Sequence, residues 1–210
     1  MLLQVSNITF KYNENIILNN INLSVNKGDI IVIIGESGSG KSTFLKLLNA
    51  LIPPTKGKIF FNGKDIYSYN PSNLRKKICF IPQVPIAISE NVFNEFKIIN
   101  PEIKKEDVAH LLHEFKLNEN ILNKSMNNLS IGQQQRISIL RGIINKPEII
   151  LLDEPTSSLD EENIEILIEI IKKLNSKFQI SFIVVTHNLK FGNIIANRKY
   201  LLKKGSLQNF

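Results

Sequence analysis

The segment "IIVIIGESGSGKSTFLKLLNAL" (30–51) restricts the folds open to this chain more than any other. Ile30 to Ile34 run without a polar interruption, as expected of a strand covered on both faces in a parallel sheet. "KSTFLKLLNAL" (41–51) carries apolar residues at helical spacing and stops at Pro53-Pro54. Between strand and helix, "GESGSGKS" (35–42) fits the pattern G-x-x-x-x-G-K-[ST]. In a glycine-rich turn that opens a helix, backbone N–H groups converge on one point, and the helix dipole adds to their preference for phosphate oxygens. A plain turn is the alternative, and the strand and helix on either side argue against it. Lys41 is therefore expected to reach the β- and γ-phosphates of a nucleotide, and Ser42 to ligate magnesium.

A second acidic site supports this. In "IILLDEP", Asp153 and Glu154 end another apolar strand. Asp153 suits the water shell of magnesium, and Glu154 is placed to orient or deprotonate an attacking water. Two acids at a strand end could also cap a following helix. Beside the phosphate loop, the pair identifies an NTPase.

The rest of the chain fills in an α/β architecture. Ile21, Leu23 and Val25 alternate with polar residues, and Asn26-Lys27-Gly28-Asp29 supplies a turn, so a hairpin is expected to open the protein. "KIFFNGKDI" reads as a second hairpin turning at Asn62-Gly63. From about Ser89 to Asn145 the period becomes helical, in "EDVAHLLHEF" and "GQQQRISILRGII". Strand character returns in "EIILLDE" (148–154) and "ISFIVVT" (180–186), around the amphipathic "ENIEILIEIIKKL" (162–174), before a short final pair near Lys203-Lys204-Gly205. The expectation is one domain over 1–210. It has a core of 1–84 and 146–210 with a mainly parallel sheet, a small N-terminal antiparallel sheet, and a helical subdomain inserted over 85–145.

Six motifs, in order, carry a resemblance to the ATP-binding-cassette (ABC) ATPases that covers essentially the whole chain: the phosphate loop, Gln83 in "FIPQ", "LSIGQ" (129–133), the acidic pair, "SSLD" (157–160) and His187 in "VTH". The resemblance implies a phosphate-loop NTPase core, a Mg-dependent ATPase activity, and ATP and magnesium as cofactors. It assigns nucleotide contacts to Tyr12 (stacking on adenine), to Gly35, Glu36, Ser37, Gly38, Ser39, Gly40, Lys41, Ser42 and Thr43, and to Gln83, Ser130, Ile131, Gly132, Gln133 and Asp160. It gives magnesium to Ser42, Gln83 and Asp153. The catalytic set it implies is Glu154, His187, Gln83 and Lys41, with His187 on the γ-phosphate.

The signature "LSIGQ" departs from the family's "LSGGQ" at Ile131. A helix start has negative φ, so isoleucine is admissible there and keeps its amide donor. By resemblance the signature lies far from its own phosphate loop. Ser130 and the amides of Ile131 and Gly132 should then serve the γ-phosphate of a second copy, which makes the expected partner a homodimer sandwiching two ATP molecules.

No apolar run approaches the roughly 18 residues needed to span a bilayer. The resemblance thus implies a cytoplasmic ATPase subunit, peripheral on the inner face of the cell membrane, powering transmembrane partner subunits through Gln83 and "VPIAISENVFNEF". The net charge of +7 also permits a soluble ABC ATPase acting on DNA. Those heads are interrupted by long coiled coils, absent here, and no nucleic acid partner is expected. "NLRKKICFIPQVPIAISENVFNEF" looks most like compact ATPases of bacterial metal export, with phosphate or amino-acid importers next. The single Cys79 reads as a buried reduced thiol, and His110 and His113 as a solvated helix face with no third ligand to make a metal site.

Overall fold

A two-residue turn at 13–14 joins strand β1 (Leu3–Tyr12) to β2 (Asn15–Val25) in the computed structural model, which describes residues 1–210. Asn13 adopts the left-handed backbone, φ 52°, that so tight a turn favours. The opening hairpin therefore turns at 13–14. The turn at 26–29, expected to form it, instead carries the chain into β3 (Ile30–Ile34) in a different sheet. β1 escapes an alternation test because Asn7, φ 53°, interrupts its pleat, so that Val5 and Ile8, three residues apart, are both buried.

After β3 come helix α1 (Lys41–Leu48) and the hairpin of β4 (Lys56–Phe61) with β5 (Lys64–Asp65), which turns at Asn62-Gly63 as expected. Next are α2 (Pro71–Lys77), capped by the Asn70 side chain on the N–H groups of Ser72 and Asn73, and β6 (Ile78–Ile81). Three helices follow in succession: α3 (Val92–Lys97), α4 (Lys105–Glu114) and α5 (Ile131–Ile144). The chain then alternates through β7 (Ile149–Asp153), α6 (Glu161–Phe178), β8 (Ser181–Thr186) and α7 (Leu189–Ile195), and ends in the hairpin of β9 (Arg198–Lys203) with β10 (Ser206–Asn209). No helix is long and apolar enough to cross a membrane.

Two sheets result. The antiparallel one has the order β2-β1-β4-β5; the larger has the order β10-β9-β3-β8-β7-β6 and is parallel except at β10. β3 explains why its sequence does not alternate. Ile30, Val32 and Ile34 enter one apolar cluster with α3 to α7, while Ile31 and Ile33 enter another with α1 and the antiparallel sheet. Each such side chain removed from water contributes about 1.5–3 kcal/mol. The register then sets the site: Ile34 pairs with Thr186, and Asp153 with Val185. The carboxyl ends of β3, β7 and β8 therefore deliver residues 35–42, 153–154 and 187 to one edge, where ligands bind in open parallel sheets.

Candidate functional site

The phosphate-loop backbone is shaped by two glycines in conformations that other residues avoid, Gly38 at φ 78° and Gly40 at φ 98°. Gly40 caps α1, so the unpaired amides of the first helical turn face out of the loop. Lys41 is only 6% exposed, and its ammonium group is fully engaged. Nζ donates to the carbonyls of Gly35 (2.7 Å) and Glu36 (3.0 Å) and lies 3.3 Å from Glu154 Oε1. Ser42 Oγ donates to Asp153 Oδ1 at 2.9 Å. Ser39 Oγ is buried with no hydrogen-bond partner.

Glu154 has left-handed backbone, φ 43°, which for a residue with a Cβ costs roughly 1–2 kcal/mol. The kink turns its carboxylate out of the strand line and into the loop's mouth. There Oε2 accepts from the His187 backbone N–H (3.1 Å) and lies 2.9 Å from His187 Nδ1. The His187 side chain is otherwise 65% exposed. Gln83 donates from Nε2 to Ser157 Oγ, in the loop after the acidic pair, at 3.2 Å.

A cleft of about 720 Å³ joins these groups. The β1–β2 hairpin lines it with Phe10, Tyr12 and Ile17, the phosphate loop with Ser37, Gly38, Gly40, Lys41, Ser42 and Thr43, and the opposite wall with Gln83, Glu154 and His187. Phe10 and Ile17 are additions to the residues expected from sequence. Phe10 shares a strand face with Tyr12, two residues on, and that spacing is the available signal. Gly35, Ser39 and Asp153 are not among the lining residues, nor is Glu36, which is exposed to solvent. Asp153 is 6% exposed, and burial is the main cause that pushes its carboxyl above the usual range, against the Ser42 hydrogen bond.

Ser130, Ile131, Gly132, Gln133 and Asp160 do not line the cleft. Ser130 caps α5 in a reciprocal pair: its Oγ accepts from Gln133 N–H, and Gln133 Oε1 accepts from Ser130 N–H. Ile131 has ordinary helical backbone and is 49% exposed. Gly132 is buried against α6, where a Cβ would lie 2.3 Å from Asn163 Oδ1. Asp160 caps α6, accepting both the backbone N–H and the side-chain amide of Asn163 at 2.8 Å, and these bonds hold its carboxyl below the usual range. The two helix starts thus abut through Gly132 and Asn163. Cys79 is packed against α5 near Gly142, and burial pushes its thiol up to about 11, so it remains protonated.

The raised Asp153 carboxyl makes a stability prediction. Between the ordinary carboxyl range and the raised value, the folded state holds more proton than the unfolded one, so stability falls as pH rises through that window. Asp153→Asn keeps an acceptor for Ser42 without the buried charge. Without nucleotide it is expected to melt at higher temperature than wild type at neutral pH. Calorimetry at a series of pH values should show the difference shrinking as pH falls through that window and the wild-type carboxyl takes up its proton. A lower melting temperature for the variant at neutral pH would refute this account.

A phosphate-directed loop and an acidic pair at the carboxyl edge of a parallel sheet define a phosphate-loop NTPase. The family model described as "ABC transporter" matches residues 18–157. The lipoprotein-releasing system ATP-binding protein LolD of Buchnera aphidicola subsp. Acyrthosiphon pisum is 43% identical over 82% of this chain and 80% of its own length. The ergothioneine transport ATP-binding protein EgtV of Helicobacter pylori is 35% identical over 96% of this chain and 97% of its own. Among solved structures, the ATP-binding cassette MJ0796, a dimer in a post-hydrolysis state bound to ADP and Pi, superposes with a TM-score of 0.86 at 31% identity, over 99% of this chain and 98% of that one. The chain belongs to the ABC transporter family, as an ATP-hydrolysing cassette. The DNA-acting alternative falls with that assignment.

Proposed function

We propose that two copies of this chain close over two ATP molecules, each cleft being completed by the other copy's signature helix, and that closing and reopening drives membrane-spanning partner subunits. One observation carries this reading: Ser130 and the free amides at the start of α5 lie outside the cleft that contains Lys41 and Glu154. A half-lined phosphate site and a helix start with unused donors are complementary. In this arrangement adenine stacks on Tyr12, which is 67% exposed. Lys41 leaves the carbonyls of Gly35 and Glu36 for the terminal phosphates. Glu154, held by the His187 N–H, accepts the proton of the attacking water.

Magnesium fits the residues present. The Ser42 hydroxyl and the Asp153 carboxylate are hard oxygen donors that already meet at 2.9 Å, and Gln83 lies across the cleft. The ion, when bound, would neutralise charge on the terminal phosphates. The segment after Gln83 exposes Val84, Ile86 and Ile88, an apolar strip suited to a membrane subunit at the inner face of the cell membrane. The helices within 85–145 would turn as a subdomain against the remainder. LolD and EgtV are named for different cargoes at comparable identity. Cargo choice then belongs to the membrane subunits and not to the cassette.

Mixing two damaged chains tests the reading. Ser130→Arg blocks the signature and Lys41→Ala the phosphate loop, and each pure protein is expected to fail. Together they form one composite site with both halves intact. Nucleotide-dependent dimers and some hydrolysis should appear in the mixture alone. If the mixture shows neither, under conditions where wild type shows both, the site is completed within one chain.

A further inference from the structure

Away from the cleft, the molecule holds one ion pair removed from water. The Glu95 side chain on α3 has 0% exposure and is paired with Arg141 on α5, itself 13% exposed. Both side chains grip the same loop. Glu95 Oε1 accepts from the N–H groups of Ile88 and Ser89, each at 2.9 Å, and Arg141 Nη1 donates to the Ile86 carbonyl at 2.9 Å. Three of the loop's apolar side chains face solvent, Val84 at 70%, Ile86 at 59% and Ile88 at 48% exposed, while Ala87 packs inward against the core. An apolar strip is thus held on its inner side by a buried carboxylate and tied to the signature helix by a guanidinium. Desolvation offsets most of what such a pair gains, so its main effect is to permit one arrangement and penalise the others.

We infer that Glu95 and Arg141 are positioning residues that make loop 84–89 and α5 move as one body, so that a push on the loop is delivered to Ser130. From Arg141 back to Ile131, α5 is an uninterrupted helix without proline, about 15 Å long at 1.5 Å per residue. Helices of this length bend sharply only at proline, bulges or inserted groups. A displacement of the loop backbone by a membrane subunit therefore reaches the helix start essentially undiminished. The inference rests on the proposal that Ser130 completes a partner's nucleotide site. The intact chain permits separate tests of the two.

Hydrogen exchange is compared on the full-length wild type, Glu95→Ala and Arg141→Lys, alongside ATP affinity and turnover. In Glu95→Ala the amides of Ile88 and Ser89 should exchange at least about tenfold faster, and segment 129–134 severalfold faster, while α4 and the six-stranded sheet are unchanged. ATP affinity should stay within about twofold, because neither residue lines the cleft, while turnover falls about tenfold. Arg141→Lys keeps the charge without the fork and should be intermediate in both segments. Faster exchange in 86–89 with 129–134 unchanged would reduce the pair to a local loop staple and overturn the inference. Acceleration spread evenly over the sheet would overturn it as well, by marking a general loss of stability. Should Glu95→Ala not fold, Arg141→Lys decides by the same criteria. A wild type that never dimerises with ATP would instead overturn the two-copy reading, and the exchange comparison would still decide whether loop and helix move together.

Discussion

With Glu154 replaced by glutamine, the chain is expected to bind ATP with wild-type affinity and to turn it over about 10²–10⁴-fold more slowly, the range that a general base contributes. The geometry makes the substitution a clean one. The carbonyl oxygen of the new amide could still accept the His187 N–H that Glu154 Oε2 takes at 3.1 Å, and the left-handed backbone at φ 43° would still aim the side chain into the cleft. Only the capacity to take a proton is lost. ATP then persists in the closed state, and an ATP-dependent dimer should accumulate in size-exclusion chromatography. Turnover at the wild-type rate, or a monomer at high concentration with ATP, would remove Glu154 from the role proposed for it or refute the dimer.

Lys41→Ala is expected to weaken ATP binding by about 10²-fold, because the charge-assisted hydrogen bonds proposed for Nζ on the terminal phosphates, about 3 kcal/mol, would be lost. A second consequence follows from the resting position of Nζ, 3.3 Å from a Glu154 carboxylate whose residue is only 8% exposed. Without that cation the buried carboxylate keeps His187 as its one remaining partner, and the variant should melt at lower temperature than wild type at neutral pH. Titration with ATP and melting without nucleotide read the two effects separately. Unchanged affinity and turnover would refute the assignment of the loop.

These expectations are legible in the sequence to different depths. β3, β7, β8 and α6 announce themselves because each is either a continuous apolar run or a long amphipathic period, and the phosphate loop because its pattern demands particular residue types. α2 and α7 give no such signal. Each has seven residues, too few for periodicity to speak, and each is marked chiefly by an asparagine cap, Asn70 or Asn188. The opening hairpin is misplaced by a reading of alternation because Asn7 hides the pleat of β1. In the site, residue types are readable but their company is not. That Lys41 meets Glu154, Ser42 meets Asp153 and Glu95 meets Arg141 depends on strand order and helix packing, which bring together residues far apart in the chain, 111 positions in the case of Ser42 and Asp153. The backbone kink at Glu154 has no local signal at all.

The strand order also bears on how the chain is made. β3, which carries the phosphate loop, has β8 and β9 as its only neighbours. Ribosomes release the amino terminus first, at about 5–20 residues per second, so Ile30 to Ile34 leave the exit tunnel roughly 8–30 seconds before their first partner strand. During that interval the most apolar segment of the chain has no sheet to join, whereas the hairpin of β1 and β2 can close at once from adjacent residues. Synthesis arrested once Ile30 to Ile34 have emerged but before residue 181 is made would therefore leave a nascent polypeptide with an exposed, aggregation-prone strand and no nucleotide cleft.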